Sequence, residues 1–264
     1  MIEVLKQQFS AGMTNEDKVN RVREFLQILA LKILYDKGYF RHLAFVGGTA
    51  LRLLFDLRRF SEHLDFSLIE KRGYDFNALA GQIENEFKLY GLNAEVGPKK
   101  DKTVQSAFLR FSRLLKELGL SLIDEQKLSI KLEVDTNPPK GWVLGSAIIN
   151  KTYLLNVTSF DLPSLYATKL HACFFRKYVK GRDYYDLVWY IGRRVEPNYV
   201  LLNNAIEQTE GVKPGINRRN FKDFILTNIE KADFSSIKKD VERFLEDRGE
   251  LKLLNLEAIK GSLA

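Results

Sequence analysis

A short apolar run that ends at a pair of glycines is the feature that most constrains the fold of this chain. Residues 42–46 read HLAFV, and Gly47 and Gly48 follow directly. Apolar residues then recur at helical spacing over 49–57, and residues 64–69 form a second apolar run. Glycines permit a tight turn between a strand and the helix behind it. The order of strand, turn, helix and strand therefore predicts an α/β fold.

The rest of the chain changes its pattern at about residue 160. Before this point, helical and strand-like segments are interspersed, and from Asp161 onward the spacing is helical almost to the end. We predict a mixed sheet with flanking helices in residues 1–160 and a helical second domain in residues 161–264. The further segments predicted in the first half are helices over 14–37 and 75–90 and strands over 104–111, 127–135 and 151–158.

Composition excludes several classes of protein. Cys173 is the only cysteine, so no disulfide can form within the chain. No apolar run approaches the ~20 residues that span a bilayer, and the N-terminus lacks the pattern of a signal peptide. We expect a cytoplasmic protein that does not enter the membrane.

Basic residues exceed acidic ones, which gives a formal net charge of +7. An excess of this kind favours polyanionic partners such as RNA, although each basic cluster could equally be a solvated surface. The clusters are Lys99, Lys100 and Lys102; Arg110, Arg113 and Lys116; Arg176, Lys177, Lys180 and Arg182; and Arg218, Arg219 and Lys222.

The glycine pair is a candidate phosphate-binding turn. Gly47, Gly48 and Thr49 stand between a predicted strand and a predicted helix, where free backbone N–H groups can contact an anion. The alternative is an ordinary turn with no ligand.

Two predicted strands carry charged residues on one face. Side chains alternate along a strand, so His63 and Asp65 share a face, as do Lys131, Glu133 and Asp135. Carboxylates on such a face could hold a divalent metal near phosphates bound at the glycine turn. The alternative for the second strand is an amphipathic edge strand with its charged face in water.

A predicted helix near residue 169 carries two cations among apolar residues. Lys169 and Arg176 fall on one helical stripe and could bind a triphosphate, or their aliphatic parts could simply lie along the edge of the core. Asp183 can cap the following helix, and Asp186, one turn later, can face Lys169. If Lys169 binds a nucleotide, Lys169→Ala should leave the unfolding midpoint nearly unchanged.

Three segments in this order resemble the AbiEii/AbiGii family of nucleotidyltransferase toxins. They are FVGGTALRLLFDLRRFSEHLDFSL, KLEVDTNPP and LPSLYATKLHACFFRKYVKGRDYYDL, and the resemblance spans roughly residues 42–191. The resemblance implies a nucleotidyltransferase-like fold. In the family's D-x-D pair, the first carboxylate corresponds to His63 here, and imidazole is a poor ligand for Mg²⁺.

The resemblance also implies roles for individual residues. Metal ligands would be His63, Asp65, Glu133 and Asp135, with either Glu133 or Asp135 as the third acid. The metal would be Mg²⁺, with Mn²⁺ as the alternative. Nucleotide contacts would come from Gly47, Gly48, Thr49, Ser61, Lys169, Arg176 and Asp183. Catalysis would involve Asp65, Asp135, Lys169 and Asp186.

The expected function is transfer of a nucleoside monophosphate from an NTP to an acceptor. RNA, with tRNA as one candidate, is the first acceptor that the basic clusters suggest, and a protein hydroxyl is the second. The resemblance implies the toxin of a toxin–antitoxin or phage-defence pair, with a cognate antitoxin as partner. The alternative is a catalytically degenerate module that binds NTP or RNA and acts by sequestration.

Overall fold

The computed structural model describes residues 1–100 and 103–263, without the side chains of residues 99 and 100. Within these residues the chain forms two compact units. The first comprises Met1–Asp56, Phe60–Pro138 and Ser146–Ser159. The second comprises Leu57–Arg59, Pro139–Gly145 and the chain from Phe160 onward. A division into domains 1–160 and 161–264 stays a prediction.

Among the described residues, seven strands form one sheet, and its mixed character is as predicted from the sequence. The strand order is β3-β4-β5-β2-β1-β7-β6. Strand β2 runs antiparallel to β1 and parallel to β5, while β3, β4 and β5 form an antiparallel set. The strands are β1 Leu43–Val46, β2 His63–Leu68, β3 Ala94–Lys100, β4 Val104–Phe111, β5 Leu128–Asp135, β6 Leu144–Asn150 and β7 Leu154–Phe160.

Helices accompany the sheet and make up most of the second half, which confirms the predicted fold class. The first half contains α1 Ile2–Lys6, α2 Asn15–Asp36, α3 Gly47–Phe55, α4 Phe76–Leu89 and α5 Leu114–Glu117. The second half contains α6 Leu162–Phe175, α7 Gly181–Gly192, α8 Tyr199–Glu210, α9 Phe221–Ile229, α10 Phe234–Val241 and α11 Leu256–Ser262. No helix among the described residues combines the length and apolar character needed to span a membrane.

Helix α2 shows how local sequence sets an element of the first unit. Thr14 and Asp17 form a capping box, in which each side chain accepts a hydrogen bond from the other residue's backbone N–H. The helix predicted over 14–37 is confirmed. Its apolar residues, including Phe25 and Leu29, are buried in the core.

Strand β5 divides the first unit into an apolar and a polar side. Leu128, Ile130, Leu132 and Val134 are buried, while the alternate residues are only partly buried. This period of two matches the strand predicted over 127–135. The candidates Glu133 and Asp135 lie on the polar side of this strand.

Two edge strands were missed from the sequence. Strand β3 contains Gly97, Pro98 and a pair of lysines, which are unusual in strands but tolerated at a sheet edge. Strand β6 forms the opposite edge and contains Gly145 and Ser146.

Candidate functional site

The turn between β1 and α3 brings a glycine against a carboxylate. Gly47 has a φ of +78°, a conformation that side chains disfavour. Val46 pairs with Asp65 across β1 and β2. A Cβ built on Gly47 would lie 2.9 Å from the Cβ and 3.0 Å from the Cγ of Asp65, and closer still to Oδ2. The absence of a side chain at Gly47 thus allows the Asp65 carboxylate to lie against the turn.

The residues beside Gly47 hold this turn in place. The Thr49 hydroxyl is buried and donates a hydrogen bond of 2.5 Å to the backbone carbonyl of His63. The Ser61 side chain is also buried, and its carbonyl accepts a hydrogen bond from Gln27. Gly48 is buried in the first turn of α3, whose N-terminus has no side-chain cap. Thr49 therefore ties the start of α3 to the start of β2.

Three potential metal ligands come together on the polar face of the sheet. His63 and Asp65 lie on β2, and Glu133 lies on β5 directly opposite Asp65. One ligand atom from each lies within 4.8 Å of the other two. Two carboxylates and one imidazole suit a divalent cation such as Mn²⁺, which accepts both oxygen and nitrogen ligands. The donor set therefore fits a divalent metal.

The electrostatics keep Glu133 ready to bind a cation. Burial disfavours its carboxylate, but hydrogen bonds from His63 and Lys131 outweigh that effect and lower the pKa of Glu133 to about 2. The Nζ atom of Lys131 lies 2.7 Å from Oε1 of Glu133, and Nδ1 of His63 lies 3.5 Å from Oε2. Glu133 is consequently ionised at neutral pH, as a metal ligand must be.

Asp135 lies two residues beyond Glu133 on β5, outside the cluster of potential metal ligands. Its partner on β2 is Ser67 rather than Asp65, and it is absent from the cluster of potential ligands among the described residues. Burial raises the pKa of Asp135, and its carboxylate accepts a hydrogen bond from the backbone N–H of Asn137. The geometry thus favours Glu133 over Asp135 as the third acid.

A second set of charged side chains lies in the second unit, where two aspartates and one arginine are buried, one lysine is partly buried and a second arginine is exposed. The Nζ atom of Lys169, on α6, lies 2.8 Å from both Asp183 Oδ1 and Asp186 Oδ2, on α7. Arg176 pairs with Asp183 at 2.8 Å. Arg59 donates two hydrogen bonds to Asp186, at 2.6 and 2.5 Å. These five residues, Arg59, Lys169, Arg176, Asp183 and Asp186, form what we call the buried ion network.

The members of the buried ion network stabilise each other's charges. Burial opposes the charge on Lys169, yet Asp183 and Asp186 raise its pKa above the usual value. Burial likewise opposes the charge on Asp183, but Lys169 and Arg176 lower its pKa. Asp186 faces Lys169 as predicted. Removing one partner would leave buried charges with less compensation than they have now, which is costly.

The network bears on the expectation for Lys169→Ala. Lys169 and Arg176 are both held in ion pairs. Lys169→Ala is therefore expected to lower stability, contrary to the sequence-based expectation. Arg59 was missed altogether, because Arg58 and Arg59 both stand between the apolar Leu57 and Phe60 in the sequence, and only Arg59 is buried.

The basic clusters have different surroundings. Lys99, Lys100 and Lys102 fall outside the residues or side chains that the structure describes. Lys116 pairs with Asp124, and Arg218 pairs with Glu196. Arg110 lies on the polar face of the sheet with Lys131.

A family model matches residues 29–259, which include both the Gly47 turn with its ligand cluster and the buried ion network. Its description is nucleotidyl transferase AbiEii toxin, type IV toxin–antitoxin system. The chain belongs to the AbiEii family. No match was found among curated proteins.

Two solved structures from Helicobacter pylori are similar to this AbiEii protein. One is JHP933, with 19% sequence identity, a TM-score of 0.46 and coverage of 91% of each chain. The other was assigned as a nucleotidyltransferase, with 19% identity and a TM-score of 0.48, and the match covers 90% of this chain and 89% of that one.

Membership of the AbiEii family places this protein among the nucleotidyltransferase toxins of type IV toxin–antitoxin systems. An antitoxin is accordingly implied as its partner. Nucleotidyltransferases typically use divalent metals, in keeping with the cluster of His63, Asp65 and Glu133.

Proposed function

We propose that this AbiEii protein transfers a nucleoside monophosphate from an NTP to an RNA acceptor, as the toxin of its pair. The observation that carries the proposal is the approach of Asp65 to Gly47, with Glu133 and His63 beside it. A turn that begins a helix offers N–H groups to phosphates, and carboxylates beside it can hold a cation that bridges to those phosphates.

Each residue of the first unit then has a defined part. Gly47 and Gly48 allow the triphosphate to approach the backbone, and Thr49 fixes the turn through its bond to His63. Asp65, Glu133 and His63 would hold Mg²⁺ or Mn²⁺, which would neutralise triphosphate charge and favour ionisation of the attacking hydroxyl. Roles for Ser61, Asp135, Lys169, Arg176, Asp183 and Asp186 toward nucleotide or catalysis stay predictions from the family resemblance.

The acceptor is proposed from charge. The chain carries a net charge of +7, and polyanions bind such proteins through release of counterions. A tRNA is one RNA that this reasoning admits, and a protein hydroxyl is the competing acceptor.

The test is transfer of radiolabel from each of four α-labelled NTPs in the presence of total RNA and total protein. The proposal predicts a metal-dependent labelled product that ribonuclease destroys and protease leaves intact. A product with the reverse sensitivities would retain nucleotidyl transfer but reject the RNA acceptor. Absence of any labelled product with either metal, from protein that binds NTP, would reject the transfer itself.

A second candidate function is sequestration of NTP or RNA by a protein without transferase activity. The observation that favours it is His63, whose imidazole lies 3.5 Å from Glu133 where a third carboxylate would make a better Mg²⁺ site. This candidate predicts NTP or RNA binding with no labelled product in the same assay.

A further inference from the structure

The polar face of the sheet continues beyond the proposed metal ligands toward β4. Phe108 on β4 pairs with Lys131 on β5, and Lys131 pairs with His63 on β2. One row across three strands therefore carries an aromatic ring, a lysine and a proposed metal ligand. Ser106, Glu133 and Asp65 form the next row.

Phe108 is an aromatic residue that lies outside the hydrophobic core. The residues that alternate with it, Ala107 and Leu109, are buried on the apolar side, whereas Phe108 is only partly buried on the polar side. A phenylalanine among charged groups gains less from burial than one in the core. Its presence on this face calls for another use of the ring.

Two cations flank this ring. The guanidinium carbon of Arg110 lies 5.0 Å from the ring centroid of Phe108, and the Nζ atom of Lys131 lies 5.9 Å from it. Both distances fall within the range of cation–π attraction. Glu95, opposite Arg110, pairs with Lys127, while Lys131 pairs with Glu133, so the three cations Arg110, Lys127 and Lys131 share two carboxylates at this end of the sheet.

The strand next to Phe108 leaves space over this part of the face. The residue directly opposite Phe108 on β3 is Gly97, which has no side chain. A Cβ there would lie 3.2 Å from Nη1 of Arg110, a tight contact, so the glycine lets the guanidinium extend across the strand. The result is a partly buried aromatic ring on the polar face with two cations over it.

We propose that Phe108 stacks an unpaired nucleobase of the acceptor RNA while Arg110 and Lys131 contact its phosphates. Proteins bind single strands by combining an aromatic ring, on which any base can stack, with cations that follow the backbone. A phosphate is the natural counterion for the positive border, whereas a protein acceptor would not require a flat ring. This inference rests on the proposed function, since it assigns the acceptor to a strand beside the metal ligands.

A base stacked on Phe108 would lie close to the proposed metal ligand Asp65. Phe108 and Asp65 are two strands and two residues apart in the register, which corresponds to about 12 Å between their backbones. A strand stacked on Phe108 could therefore extend along the polar face toward Asp65. We expect an unpaired end of the RNA, rather than a duplex, to occupy this face.

Binding without turnover tests the proposal. The variant is Phe108→Leu, which keeps an apolar side chain but removes the ring. The matched control is Phe9→Leu, since Phe9 is also partly buried and has a lysine, Lys18, at 5.8 Å from its ring. The probes are a fluorescein-labelled single-stranded oligoadenylate, the same sequence as a blunt duplex, and ATP.

Phe108→Leu should weaken binding of the single strand by about 5-fold to 150-fold, the usual effect of losing one stacked base. Affinities for duplex and ATP should stay within twofold of the parent, and Phe9→Leu should bind all three probes normally. Phe108→Tyr should retain the single-strand affinity. Arg110→Gln should reduce the salt dependence of single-strand binding by about 0.7 in log–log slope, the value for one lost phosphate contact.

Unchanged affinity of folded Phe108→Leu for the single strand would overturn the proposal and favour a protein acceptor. A loss of ATP affinity would also overturn it, because the stacked base would then belong to the NTP. If Phe108→Leu does not fold, the Arg110→Gln slope decides, and an unchanged slope rejects the proposal. Asp65→Asn should bind the single strand normally. Loss of transferase activity can therefore be distinguished from loss of RNA binding at Phe108.

Discussion

Gly47→Ala tests the contact between the Gly47 turn and the Asp65 carboxylate. Alanine at a φ of +78° incurs a backbone cost of about 1–2 kcal/mol in the left-handed region. The new Cβ would also lie 2.9 Å from the Cβ of Asp65, where carbon atoms normally approach to about 3.5 Å. Asp65 must therefore move, and with it one proposed metal ligand.

Gly73→Ala is the matched control for the backbone cost. Gly73 has the same φ of +78°, but its Cβ would meet only His42, at an ordinary contact distance of 3.7 Å. Both variants should lose about 1–2 kcal/mol of unfolding free energy from the backbone. Only Gly47→Ala should lose activity, by about 100-fold, since displacement of a catalytic group by roughly 1 Å has effects of that size.

Two measurements check this reasoning. Urea unfolding gives the free energies of both variants, and initial rates of label transfer give their activities. Gly47→Ala with the activity of Gly73→Ala would refute the argument, because it would show that the contact between the turn and Asp65 is not needed. A Gly73→Ala variant as inactive as Gly47→Ala would assign the loss to general destabilisation.

Four further predictions follow from the charged residues. Lys169→Ala should lower the unfolding free energy by about 3 kcal/mol in urea titrations, because two buried carboxylates lose a partner. The pKa of Asp183 is lowered in the folded state from its ordinary value of 3.8. The ionised carboxylate therefore stabilises the fold above pH 3.8, and this contribution disappears as the pH falls through the folded pKa. Asp183→Asn should flatten the acid limb of a plot of stability against pH. His63→Asp should raise Mg²⁺-supported initial rates several-fold and reduce any preference for Mn²⁺, and a lower Mg²⁺ rate would instead give the histidine a dedicated role. Glu133→Gln should lower transfer much more than Asp135→Asn, and the opposite order would make Asp135 the third acid.

The sequence was sufficient to predict the faces of the central strands. Alternation along β2 and β5 correctly placed His63 with Asp65, and Glu133 with Asp135, on single faces. It could not distinguish Glu133 from Asp135, because that choice depends on the register between strands that are distant in the sequence. Only the pairing of Asp65 with Glu133 separates the two acids.

The buried ion network was predictable only in part. Helical spacing indicated that Asp186 could face Lys169, since both lie in neighbouring predicted helices. The contribution of Arg59 comes from a segment 127 residues before Asp186, and no local pattern reports a contact of that length. The missed strands β3 and β6 have a local cause, because edge strands accept glycine, proline and charged residues that weaken the strand signal.

The central claim is that Asp65 makes this AbiEii protein a metal-dependent nucleotidyltransferase. Its most direct test is label transfer by Asp65→Asn beside Asp124→Asn, in which an exposed carboxylate of the same unit, paired with Lys116, is neutralised in the same way. The account predicts that Asp65→Asn lowers transfer at least about 100-fold in Mg²⁺ and Mn²⁺, since a metal ligand supports several kcal/mol of transition-state stabilisation. Asp124→Asn should retain the parent rate. Equal rates for Asp65→Asn and the parent would contradict the account.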